Sequence, residues 1–221
     1  RSVQAWAGAR ISGDDELVQR VVLGTHYEHH RFERTSDTVP GTLPADRSMS
    51  GPVIAYGLIQ PRFIKETYIN RMERVEDFNV GNEFSISGGP MLDAWGSDRD
   101  RWIFSALDQQ GYHHDEGRFL LGQAGAVSRV AGGRLENTLV YGSLNAFWKT
   151  VWPIPQTWVL HGEANAGHRL DGEHQLILGG NTGLRGYKNN SFLGKKSALV
   201  NLENLVFLTE ELFHLVYLGG V

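Results

Sequence analysis

The chain has 221 residues, 41% of them hydrophobic, and no apolar run near the roughly 20 residues of a membrane-spanning helix, so helical spans are excluded while strand-built spans are not. A net charge of −4 with no long basic run argues against a nucleic-acid partner, and the absence of cysteine rules out disulfides and thiolate chemistry. The 27 glycines suit tight turns, and the 6 Trp, 7 Tyr and 10 Phe suit a membrane interface.

Apolar and polar residues alternate through most of the sequence, the period of a strand with two unlike faces. In chain order the alternation predicts strands over 2–11, 17–33, 52–74, 79–91, 101–112, 116–130, 134–150, 155–168, 197–207 and 211–221. The clearest is 155–168. There Trp158, Leu160, Gly162, Ala164 and Ala166 fall on one face, and Thr157, Val159, His161, Glu163 and Asn165 on the other. Within 52–74, Pro61 removes a ladder donor, so a bulge or break is expected there.

Connection lengths vary in an ordered way. "SGDDE", "RVEDFN", "HHDEG", "PIP" and "TEE" read as short turns, and 34–51, 92–100 and 169–196 as long loops, with "AGG" near 131 the exception. Short turns at one end and long loops at the other are the layout of an outer-membrane barrel. The expected fold class is therefore all-β, an antiparallel transmembrane β-barrel, in a single domain over 1–221. The sequence opens mid-pattern at "SVQAWAGARI" and stops on "HLVYLGGV", which reads as an unfinished strand, so a barrel incomplete at both ends is expected.

The longest polar loop carries the most specific pattern. "LILGGNTGLRGYKNNSFLGKKSALVNLENLVF" holds Gly179 and Gly180, then Leu184, Arg185, Gly186 and Tyr187, then Gly194, then a strand with Glu203. This resembles the loop-six region of the BamA/TamA family of outer-membrane barrels, the bacterial surface-antigen family, which is related to the two-partner secretion transporters. The resemblance is strong over 175–207 and coherent across the rest as strand pattern. It implies a barrel of roughly sixteen strands, of which about ten are present. It also implies that the loop folds into the lumen and that Arg185 meets acids on the inner wall. An arginine fork suits a carboxylate, and Glu203 shares the polar face with Asn201, so Glu203 is the expected partner. The sequence departs from the family at Leu218, where the next strand often carries an aspartate.

Blander readings stand beside these. Arg185 next to a turn glycine is also what a solvated loop arginine looks like. His26, Glu28 and His30 share one strand face at a spacing that suits zinc, though polar lumen residues have the same pattern. "HHDEG" at 113–117 falls in an expected turn. Trp102, Trp148, Trp152 and Trp158 near strand ends read as interface aromatics or as ordinary packing. No nucleophile elbow, phosphate loop or paired-cysteine site occurs, so no catalytic residue, metal or cofactor is expected.

The resemblance implies an integral protein of the bacterial outer membrane, not an enzyme, that inserts proteins into that membrane or translocates them across it. Its partners would be outer-membrane lipids and unfolded or β-rich client proteins. The alternatives are a barrel that anchors or exports a fused passenger domain, a passive porin-like channel, and a soluble β-protein in which the motif is coincidental.

Overall fold

The computed structural model describes residues 2–13, 16–39, 43–71, 74–208 and 219–220. Ten strands form one antiparallel sheet. Their spatial order is β1 (Ser2–Gly13), β2 (Val18–His30), β3 (Arg47–Ile59), β6 (Asn82–Met91), β7 (Arg101–Asp115), β8 (Arg118–Ala131), β9 (Arg134–Thr150), β10 (Gln156–His168), β13 (Lys196–Phe207) and the two-residue β14 (Gly219–Gly220). Four short strands make two separate hairpins, β4 (Phe63–Glu66) with β5 (Glu76–Asn79) and β11 (Leu176–Leu178) with β12 (Phe192–Gly194). Among the described residues no α-helix occurs, β1 pairs with β2 alone, and no strand joins the two ends of the sheet. The expected all-β antiparallel class is what the chain adopts. Closure into a barrel is not seen.

The sheet has two unlike faces, as period-2 alternation dictates. Register places Leu23, Ile54, Phe104, Val140, Leu144 and Leu202 on one face, and all are exposed. Between them lie small residues such as Ala106, Ala124, Gly142, Gly162 and Ala164. Asp108 and Gln110 interrupt this outward face and bond to each other, Nε2 of Gln110 donating to Asp108 at 2.8 Å. The opposite face carries Glu83, Gln109, Gln123, Asn145, His161 and Asn201, and two loops lie across it.

Three expectations need correction. The strand expected over 52–74 is two strands and a break. β3 starts at Arg47, inside the expected long loop, and ends at Ile59, and β4 begins at Phe63 beyond Pro61. "RVEDFN" is no simple turn, because 76–79 is β5 of a hairpin inserted between β3 and β6. "HHDEG" is mostly strand: His113, His114 and Asp115 belong to β7, leaving Glu116 and Gly117 to make the turn. The "TEE" turn, most of the strand expected over 211–221, and Leu218 lie outside the described residues.

Prolines shape the rim of the sheet at the long loops. The ladder between β3 and β6 ends at Ile54↔Gly88, just before Pro52 and Pro90, which have no N–H to donate. The loop at 92–100 takes over the free edge of β3. Asp98 N donates to Ser48 O at 3.0 Å, Ser48 N to Asp98 Oδ1 at 2.8 Å, and Ser50 N to Ser97 Oγ at 2.9 Å. Arg101 clamps the same carboxylate with two nitrogens, at 3.0 and 2.7 Å. Burial works against the charge on Asp98, but Arg101 and the Ser48 amide outweigh it and hold the carboxyl below its ordinary value.

At the opposite rim the insertion at 60–81 lies over the covered face. Phe78 packs on Phe119 and Phe147 with ring centroids at 4.7 and 5.9 Å, and Tyr68 packs on Phe207 of β13 at 5.4 Å. Ile69 and Phe119 are fully enclosed. Glu66 anchors the insertion. Its carboxylate accepts from Lys149 Nζ at 2.7 Å and from Gly117 N at 2.7 Å, and its side chain and that of Lys149 are 3% and 5% exposed. The Thr157 hydroxyl donates to the Tyr68 carbonyl. Removing one partner of a buried pair leaves an uncompensated charge. Lys149→Ala should therefore cost about 3–5 kcal/mol, read as a lower unfolding temperature, and Glu66→Met with Lys149→Met should recover most of it.

Candidate functional site

The segment between β10 and β13 is the site. It holds the Gly-Gly and Leu-Arg-Gly-Tyr residues and lies against the covered face. β11 and β12 close it into a hairpin, with residues 179–191 as its tip. The tip is tight because its two limbs nearly touch. A Cβ on Gly180 would lie 2.5 Å from the Tyr187 carbonyl oxygen, and one on Gly179 would lie 2.5 Å from the Asn190 nitrogen. Only glycine allows that approach. Gly180 N donates to Lys188 O at 3.2 Å across the gap, Gly179 N donates to Thr182 Oγ1 at 2.8 Å, and Leu184 N donates to Gly179 O at 3.1 Å. Gly183 and Gly186 take the left-handed conformation, φ 92 and 86. Gly183 also faces Leu199 on β13, where a Cβ would come within 2.6 Å of Cδ2. Tyr187 packs on Phe192 at 5.5 Å and stays half exposed.

This folding puts Arg185 beside Glu203. Arg185 Nη2 donates to Glu203 Oε1 at 2.6 Å. The arginine side chain is 71% exposed and the glutamate 28%, so the contact is a short charged hydrogen bond on an open surface, not a buried lock. The hairpin and wall enclose a cleft of about 680 Å³, lined by His161, Glu163, Asn165, Thr182, Arg185, Asn201 and Glu203 among others. Glu163 and Glu203 both face it. Glu163 accepts from Asn165 Nδ2 at 2.6 Å rather than approaching Glu203. Leu184 stands beside Arg185 in the turn, where its carbonyl accepts from Tyr187 N at 3.3 Å.

The strongest anchor of the loop lies elsewhere. Asp171, three residues past β10, reaches two wall arginines at once: Arg47 on β3, at 2.8 Å, and Arg129 on β8. Glu173 binds Arg47 Nη2 at 2.7 Å. Both arginines are nearly buried, 9% and 8% exposed. β3 and β8 are three ladder steps apart, about 14 Å at ~4.8 Å per step, so Asp171 holds the loop across four strands. A bulge prepares the spot. The register of β8 on β9 shifts between Val127 and Arg129, Asn137 sits in it at φ 44, and Asn137 Oδ1 accepts from Asp171 N at 3.2 Å.

The other sequence candidates sort as follows. His26, Glu28 and His30 do share the covered face, and both imidazoles bond Glu28, at 3.3 and 2.5 Å, with Arg47 at 3.6 Å from the same carboxylate. They extend the charged rim. Among the described residues the side chains whose donor atoms converge as metal ligands are Asp171, Glu173 and His174, and their carboxylates already serve the two arginines. The Asp171 cluster escaped the sequence reading because Arg47 sat in an expected loop. The available signal was "RLDGEH", two acids directly after a strand.

The two contacts predict different outcomes. Asp171→Ala strips two nearly buried guanidinium groups of their shared partner and should cost about 3 kcal/mol. Arg185→Ala should cost under about 1 kcal/mol, because the pair is open to solvent. Limited proteolysis should show faster cutting within 179–191 in both variants. Only Asp171→Ala should lower the unfolding temperature measurably. Wild-type protease resistance in Arg185→Ala would show that the arginine does not hold the tip.

Compared with known proteins, the chain matches no family model, no curated protein and no solved structure.

Proposed function

We propose that this sheet is the wall of an outer-membrane β-barrel of the bacterial surface-antigen, BamA/TamA-like type, and that it acts in inserting proteins into the outer membrane or moving them across it. The observation that carries the reading is the loop. The Gly-Gly to Leu-Arg-Gly-Tyr segment lies on the polar face, with Arg185 on Glu203. The segment is held there chiefly by Asp171 and Glu173 on Arg47 and Arg129, and the Arg185–Glu203 contact orients its tip.

The outward face supports a membrane setting. A soluble sheet that exposed Leu23, Ile54, Phe104, Val140, Leu144 and Leu202 to water would carry a large apolar patch. On β7, Trp102 and Tyr112 stand ten residues apart on that face, about 33 Å along the strand, with the mutually bonded Asp108 and Gln110 between them. Tilted by about 40°, that length spans about 25 Å of height, the height of the apolar band of outer-membrane barrels. The chemistry needs no catalytic residue. A wall of this kind perturbs the bilayer and offers strand edges to a client, whose own strands pair with them.

Two segments lie across the polar face, one at each rim, which favours this reading over a passive channel. Loops lying across that face narrow any channel it would line. A barrel that anchors or exports a fused passenger shares the wall and the loop, and differs only in what it carries.

The test is client folding. Full-length protein in liposomes should speed the folding of a urea-unfolded outer-membrane barrel relative to empty liposomes. A steady, wide ion conductance with no effect on client folding would overturn the proposal in favour of a channel.

A further inference from the structure

The outward face holds one groove unlike the rest of the apolar band. It lies at the rim of the short connections, where β7, β8, β9 and β10 meet. Its volume is about 410 Å³. Leu120, Ala146 and Leu160 form the floor, in register across three strands. Ala146 is small between two leucines, so the floor has a slot. Trp148 and Trp158, paired in register, make one wall, and Tyr112 stands on the other side. The lining is almost wholly apolar except at the rim, where Arg118 and His114 stand.

Arg118 is placed for an anion. Its guanidinium lies 5.2 Å from the Trp148 ring centroid, which fixes the fork at the mouth of the groove. One nitrogen meets Asp115 at 3.3 Å, a long contact, and the side chain is 48% exposed. Asp115 also lies 3.8 Å from His114 Nε2, so the two basic side chains at the mouth share one acid, and the Arg118 side chain stays half exposed. The adjoining turn between β9 and β10 exposes Val151, Trp152 and Ile154, with Trp152 at 84%. Tryptophans clustered at one rim, with a cation above an apolar slot, match the chemistry of the headgroup region: a phosphate outside and hydrocarbon beneath.

We propose that this groove binds one glycerophospholipid of the leaflet nearest the short connections. Its phosphate sits on Arg118 and His114, and one acyl chain lies in the slot over Ala146, between Tyr112 and the tryptophan pair. The site is continuous with the apolar outward face, so a lipid reaches it without leaving the bilayer. This inference rests on the membrane-wall reading of the sheet. It goes further by assigning a specific lipid position instead of general contact with the bilayer.

The test uses full-length protein in detergent micelles with added phosphatidylglycerol, followed by native mass spectrometry. The wild type should retain one phospholipid. Arg118→Gln should weaken retention at least tenfold. Ala146→Phe, which fills the slot, should abolish it. Val140→Phe, farther along the same outward face, should leave it unchanged. Unfolding temperature in detergent reports whether each variant is folded. No retained lipid in the wild type, or equal retention in folded Arg118→Gln and Ala146→Phe, overturns the lipid site while leaving the membrane reading intact. A full-length protein that stays monomeric and soluble without detergent overturns both.

Discussion

One carboxylate organises one rim of this sheet. Asp171 sits between Arg47 and Arg129, and those arginines come from strands three ladder steps apart. Two nearly buried guanidinium groups on the same face would repel each other and lose their water. A carboxylate between them makes both tolerable, and Glu173 and Glu28 add further negative charge around Arg47. Because Asp171 belongs to the segment leaving β10, the same ion pairs pull that segment over the polar face. The position of the glycine-rich tip, and so of Arg185, follows from there.

The opposite rim repeats the device with different chemistry. The insertion between β3 and β6 crosses the same face, and it is held by the Glu66–Lys149 pair and by aromatic packing of Phe78. The two rims differ in how firmly they grip. The aromatic rim is closely packed and encloses Ile69 and Phe119. The charged rim depends on paired ions and a bulge at Asn137. Between them the polar face keeps an open cleft, with Arg185 and Glu203 in contact along its edge. An exposed pair of this kind contributes little stability but orients the tip.

The proposed role draws on both faces for different reasons. The outward face supplies a hydrophobic exterior graded toward aromatics at its rims. The polar face supplies a loop whose residues are chosen for close backbone approach. The function proposed does not require an arrangement of nucleophile, base and electrophile, and none stands out among the described residues. The groove beneath Arg118 adds a third element, a fixed meeting point between wall and lipid.

Period-2 alternation is a local property, and it made most of the strands readable from residues alone. The ladders of β7 to β10 and β13 lie within a few residues of where the pattern puts them, because each face of a strand is chosen by its own side chains. The glycine spacing and "LRGY" were likewise readable, and pointed to Glu203 through the shared polar face of β13. What the pattern could not carry was anything joining distant strands. Arg47 looked like loop because the expected strand began only at Pro52, five residues beyond it. Glu66 and Lys149 are 83 residues apart, and nothing at either position names the other. Asp171 reads as a loop acid until Arg47 and Arg129 are brought to it, since an ion pair depends on positions in space while alternation depends only on neighbours along the chain.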